Sequence, residues 1–405
     1  MKKKTILLLS FLLFVFNQNK AQQMLVENLQ GPITANELTA FKKFAKAFVP
    51  AKSNLGNAWV YGTSGSAMEA IGVMYEATHD NELLDILIQL ADKALLARNN
   101  PVNGRVLWNG KRELCWPNKS NTVIDSLYSG SENGDIVAHI AYCAKLIIKN
   151  KSLWNTKVTT GDPNQFGETY IKRANTYLTE MDKTLQTYII PYFVQKESLK
   201  FYWPDLPAWK AIGPRYAGDG NKPIPWNQQA MLTGGFQRMA ECYDLLNQQP
   251  KKVALYDQIV KTSVDWFISQ LVPYKSAAGF DCYKWSYPVN DFAGKYIEDV
   301  PHAGYDVLGI TRNYTRAAYA IPKKVMVGLA NTAQYVIYNE KEKSFSARVD
   351  GLNGAKQSRK SIGAYFLYLS AFNPELYTII ANATIENAKT KMEDCAMILT
   401  LKPEK

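Results

Sequence analysis

Apolar residues recur at three- and four-residue intervals over eleven stretches of the chain: 37–49, 67–78, 83–97, 136–148, 170–189, 230–246, 253–271, 305–319, 323–338, 362–372 and 375–397. Each stretch gives a helix one apolar stripe, and so many stripes can be buried only by packing helix on helix. Strict apolar/polar alternation is scarce. Residues 343–351 carry it and predict one arm of a short hairpin, and 396–401 is expected to be extended. With no βαβ rhythm and no Pro/Gly/Ser-rich linker, the pattern predicts one all-α domain.

The connections between the stripes are of two kinds. Some are short, as at 79–81 and around Pro250. Others are long and rich in Trp, Tyr, Pro and Gly: 99–130, 200–225, 273–301 and 339–360. Loops of that length in a compact domain are functional or disordered, and their aromatic content argues against disorder. After long connections come helix starts that are small or polar, "GTSGSAMEAIG", "SGSENGDIVAHI", "IPWNQQAMLTGG", "DVPHAGYDVLG" and "SRKSIGAYF". If helices alternate between an inner and an outer ring, these segments open inner helices at one end of a barrel. The expectation is an α/α toroid of six or seven helical pairs, with five helix N-termini converging on one face that favours a negatively charged group. An irregular helical bundle is the alternative.

Residues 1–21 have the layout of a secretory signal peptide: Lys2, Lys3 and Lys4, an apolar run over 6–16, and a small residue at Ala21. The mature domain is expected to span 22–405 and to be secreted or periplasmic. The apolar run is short for a bilayer span and no second one follows, so membrane insertion is not expected. Loss of the four lysines within 1–21, which hold no acid, lowers the net charge from +11 to +7. That surplus suits a polyanionic partner, or simply solubility. The lysines are dispersed, with no zinc spacing or basic arm, so nucleic acid is not expected, and an acidic polysaccharide is the better fit. Five scattered cysteines make neither a disulfide framework nor a zinc site. No dinucleotide, phosphate-loop or metalloprotease motif occurs, so no cofactor and no metal are expected. "AGDGN" at 217–221 has the oxygen donors for calcium but reads more simply as a turn.

The densest polar segment is "EDVPHAGYDVLGI", residues 298–310. If a helix starts near Pro301, His302 and Tyr305 stand three apart on one face, an imidazole beside a phenol at the rim of a cleft. Lowering the phenol's pKa requires cations, for which Arg312 and Arg316 follow on the same stripe, although Arg312 lies about two turns deeper. A capped helix start with a packed tyrosine is the plain alternative. At a second helix mouth, Ser131 can cap while Glu132, Asn133 and Asp135 cluster, and Asn133 can donate to a carboxylate without adding charge. His139 lies deeper, where a structural role is expected. A third mouth holds Trp226, Asn227 and Gln228, an indole face and two amides suited to a sugar. Trp59, Tyr61, Trp108, Trp116, Trp203, Trp209 and Trp285, in or beside loops, extend that picture or serve as loop anchors.

The "SENGD", "WNQQ" and "EDVPHAGYD" mouths, with the aromatic loops, resemble α/α-toroid polysaccharide-active enzymes, and within them polysaccharide lyase family 38, the glucuronan and alginate lyases. The resemblance implies β-elimination at a 4-linked uronic acid by a monomeric enzyme. It implies Tyr305 as base, acid or both, His302 as its proton-transfer partner, and Asn133, Asn227 or Arg312, or else His139, as the carboxylate neutraliser. Trp226, Gln228, Glu298 and Asp299 would complete substrate binding. A toroidal glycoside hydrolase pairing Glu298 with Asp135 or Glu132, and a non-catalytic glycan-binding protein, are the competing expectations.

Overall fold

The computed structural model describes residues 25–60, 63–118, 127–211, 220–291, 294–354, 356–387 and 391–404. The signal segment, Tyr61 and most of "AGDGN" lie outside the described residues. Thirteen α-helices are present among them. In chain order they are α1 (Ala35–Ala47), α2 (Thr63–Thr78), α3 (Asn81–Leu96), α4 (Asn133–Lys149), α5 (Tyr170–Thr184), α6 (Ile190–Phe193), α7 (Pro207–Lys210), α8 (Trp226–Leu245), α9 (Pro250–Gln270), α10 (Val300–Tyr314), α11 (Lys323–Thr332), α12 (Glu375–Glu386) and α13 (Met392–Thr400). The protein is mostly helical, as the stripes require.

Several boundaries differ from the sequence pattern. The stripe over 375–397 is two helices, α12 and α13, and the segment expected to be extended at 396–401 is the last turn of α13. Residues 362–372 form a 3-10 helix, Ala364–Ala371. Of 343–351 only Ser344–Phe345 is strand, paired with Tyr338–Asn339. A second antiparallel hairpin, Val272–Lys275 with Asp281–Lys284, carries no clear alternation because three of its first four residues are largely exposed.

Packing runs round a closed circuit, α2 against α4, α4 against α8, α8 against α10, α10 against the 3-10 helix, that helix against α13, and α13 back against α2. Neighbours in it run parallel. Ser131 Oγ donates to Gln228 Oε1 at the start of α4 and α8, and Cys242 Sγ to Ala141 O further along. Between α8 and α10, Gly309 faces Ala230 while Gln237 donates to Arg312 O. Two glycines let α4 and α8 approach closely. A Cβ on Gly134 would lie 2.5 Å from Leu232 Cα, and one on Gly235 would lie 2.7 Å from Gly134 O. The helix starts of the circuit therefore share one end of the molecule and their C-termini the other.

The aromatic loops are packed structure. Trp59, Trp108, Trp116, Trp203, Trp209, Trp226 and Trp285 are all buried. Trp108 donates to Tyr188 Oη at 3.0 Å, Trp116 donates to Ala94 O at 2.6 Å, and Trp203 stacks on Trp209 at 5.3 Å. Loop anchoring, not an aromatic sugar platform, is what these indoles provide. All five cysteines are buried and free. Among the described residues no helix is long and apolar enough to cross a membrane.

Candidate active site

Helix α10 starts because Asp299 accepts the His302 N–H at 3.1 Å and Pro301 occupies the first turn, where no N–H is needed. The same carboxylate lies 3.0 Å from His302 Nδ1 and 2.7 Å from Lys356 Nζ. Burial opposes its charge, but His302 and Lys356 outweigh burial and hold the Asp299 pKa well below the usual range. The His302 side chain is 44% exposed, with its ring 5.0 Å from that of Tyr287. Tyr305, one turn on and partly buried, meets Tyr365 edge-on at 5.4 Å. Each ring of the expected couple is thus braced by an aromatic from a different segment.

Beneath His302 lies a second pair of acids. Glu298 is fully buried, its Oε1 accepting the Asp299 N–H at 2.9 Å, and Asp306 accepts the Trp285 indole N–H at 2.8 Å. Burial, then their mutual repulsion, pushes the Glu298 carboxyl far up, and burial raises Asp306 as well. Glu298 Oε2 and Asp306 Oδ1 are both buried without a hydrogen-bond partner, so burial and repulsion together favour the protonated form of the pair. Glu298, sealed in this way, cannot touch a sugar, which corrects both its expected substrate-binding role and its place in a hydrolase pair. Glu298, Asp299 and His302 each offer a ligand atom, all within 4.8 Å of one another, a grouping that could hold a cation among the described residues. Lys356, already on Asp299, would have to withdraw.

The second mouth is used up by the fold. Asn133 is wholly buried, accepting the Trp116 N–H at 2.6 Å and donating to Ser129 Oγ and Gly130 O at 2.9 and 2.8 Å. It has no hydrogen left for a substrate carboxylate. Glu132 is buried and accepts the Gly130 N–H. At the third mouth, Gln228 accepts from Ser131 Oγ at 2.5 Å, tying α8 to α4, and Trp226 packs edge-on against Trp266 and Phe267. The Gln228 carbonyl oxygen and the Trp226 ring are thus taken up by packing between elements. Asn227 is different: its Oδ1 is buried without a hydrogen-bond partner.

Along the axis runs a chain of buried charge. His139 lies 3.2 Å from Asp135 Oδ2 through Nε2 and 3.3 Å from Glu69 Oε2 through Nδ1. Arg238 clamps Glu69 with two bonds of 2.8 and 2.9 Å, and Arg312 Nη2 reaches it at 2.8 Å. Burial disfavours each charge, yet Arg238 and Arg312 hold Glu69 well below its usual pKa, and Asp135 and Glu69 raise His139. His139 is therefore held between two carboxylates, a structural position. Arg312 sits seven residues beyond Tyr305, about 10 Å along the helix, and serves Glu69. Arg316 pairs with Asp257 and Asp244 at 2.6 Å each. The cations expected to lower the Tyr305 pKa are thus engaged elsewhere.

Sequence reasoning missed Tyr365, Asp306, Glu69 and Arg238. Tyr365 stands in the fields of Glu393, Tyr305, Asp135 and Glu69, and burial raises its pKa well above the phenol value. Tyr365, Asp306 and Glu69 lay within the quoted "SRKSIGAYF", "EDVPHAGYDVLGI" and "GTSGSAMEAIG" segments; Arg238 had no signal, being a single charged residue inside an apolar stripe.

No protein-family model matches the chain, and no curated protein matches it. Among solved structures, it is similar to a polysaccharide lyase at 11% identity and a TM-score of 0.41, over 88% of this chain and 86% of that one. A likeness of this degree transfers neither residues nor activity.

Proposed function

We propose that the protein is a polysaccharide lyase that cleaves a 4-linked uronic-acid polymer, glucuronan or alginate-like, by β-elimination, on an α/α toroid whose inner helices are the closed circuit of parallel neighbours. The observation that carries the reading is the exposed His302 imidazole with the Asp299 carboxylate behind its Nδ1 at 3.0 Å, one turn above Tyr305. A carboxylate this close to Nδ1 favours a proton there, which would free Nε2 to accept, the arrangement a general base needs.

The roles follow from charge. With Arg312 and Arg316 engaged elsewhere, the Tyr305 phenol is assigned the acid's part and His302 the base's. His302 takes the C5 proton, the C4–O4 bond breaks as the C4–C5 double bond forms, and Tyr305 gives its proton to O4. The substrate carboxylate must be neutralised for that proton to leave. Asn227, whose amide orientation is interchangeable, and Lys356, 60% exposed on its side chain, are the groups proposed for it, helped by the converging helix N-termini. Export through the segment 1–21, with cleavage before Gln22, belongs to the same proposal, and the mass of the exported chain tests it.

The hydrolase alternative needs two carboxyls roughly 5–9.5 Å apart flanking the bond. Glu298, Glu132 and Asp135 are each buried and engaged, which weighs against it. Incubation with glucuronan, alginate and neutral glycans separates the classes. Rising ultraviolet absorbance from the new double bond marks a lyase, reducing ends without it a hydrolase, and retained affinity with neither a binding protein. Tyr305→Phe and His302→Ala are each expected to lower kcat by about 10²–10⁴-fold without changing the melting temperature. Near-normal turnover in either variant ends its assignment.

A further inference from the structure

At the end of the circuit opposite His302 and Tyr305 lies a cavity of about 340 Å³, at the small end of the ~300–1,000 Å³ range of sites for small molecules. It opens between the C-terminal turns of α2, α4, α8 and α10, with Ala77 and Thr315 exposed at its rim. Helix C-termini carry partial negative charge and would ordinarily suit a cation. The side chains reverse that sign. On the walls Lys145 pairs with Glu241 at 2.8 Å and Lys149 with Glu76 at 2.6 Å. In the floor, Arg238 and Arg312 share the single carboxylate of Glu69. One of those two guanidiniums therefore has no carboxylate of its own. Gln237, 3% exposed, also lines the cavity, and its Oε1 and the Arg312 Nε have no hydrogen-bond partner.

We infer that this cavity binds a small carboxylate the size of one sugar ring, held at Arg312. A monoanion supplies the carboxylate that one guanidinium lacks, whereas a dianion would add negative charge beside Glu76, Glu241 and the helix ends. The volume admits one sugar ring. The site is separate from the one proposed for elimination, so either stands if the other fails.

Titration calorimetry of the full mature chain with glucuronate, acetate, inorganic phosphate and glucose tests it. Glucuronate is expected to bind most tightly, acetate more weakly, and phosphate and glucose at least tenfold more weakly than glucuronate. Arg312→Gln should weaken glucuronate at least tenfold. Because that change also disturbs Glu69, Ala77→Trp, which plugs the rim and leaves every charge in place, should do the same, while Tyr305→Phe should not. No glucuronate binding at millimolar concentration, equal binding of glucose, tighter binding of phosphate, or binding untouched by both cavity variants would each overturn the inference.

Discussion

Asn133 was expected to meet a substrate; instead it completes the loop before α4 with three hydrogen bonds. Replacing it with Ala strands the buried Trp116 N–H, and Asn133→Ala should cost about 1–3 kcal/mol of stability. Urea unfolding measures this, and turnover per folded molecule should stay within a few-fold of the parent. Glu298 makes the opposite case. Its pKa is raised by burial and by Asp306, so its favourable contribution is complete below the unfolded-state pKa and is lost as pH rises through the folded value. Glu298→Gln removes the repulsion with Asp306, so melting temperatures should exceed the parent's at pH values around 9 and not around 5. The chemical residues His302 and Tyr305 were legible because polar side chains at helical spacing beside a proline announce a helix mouth. The commitments of Asn133, Glu298 and Arg312 were not, because spacing does not reveal which neighbour a buried group will face: Trp116, Asp306 and the distant Glu69.

At the scale of elements, the closest joint of the fold is that between α4 and α8. Gly134 and Gly235 lie where any side chain would collide with backbone rather than with a flexible tip. Gly235→Ala should therefore cost about 1–3 kcal/mol through forced separation of the helices, well beyond the gain in helix propensity, and denaturant midpoints report it. The π turns Leu185–Ile189 and Ala333–Ile337, which end two apolar stripes, were read as continuous helix. Periodicity does not distinguish them, since a one-residue slip leaves the apolar face nearly unchanged. The 3-10 helix Ala364–Ala371 was likewise read as an ordinary stripe, and it brings Tyr365 to Tyr305. Element existence followed from the stripes; element type at the ends followed from packing.

The whole molecule closes on itself through buried apolar helices with the charge chain from Asp135 to Arg312 in its middle. All five thiols lie inside. A native-state thiol titration should register fewer than one reactive group per chain, and reductant should leave the melting temperature unchanged, because burial raises thiol pKa values and no crosslink is present to break. What the sequence determined by itself was the helical class, the grouping of long connections before certain helix starts, and the polar mouth at 298–306, all of them properties of neighbours along the chain. Only the tertiary structure decided which polar groups stay available. A carboxylate, amide or guanidinium buried among helices must be satisfied by whatever faces it, and what faces it comes from residues a hundred or more positions away, as Arg238 and Arg312 do for Glu69.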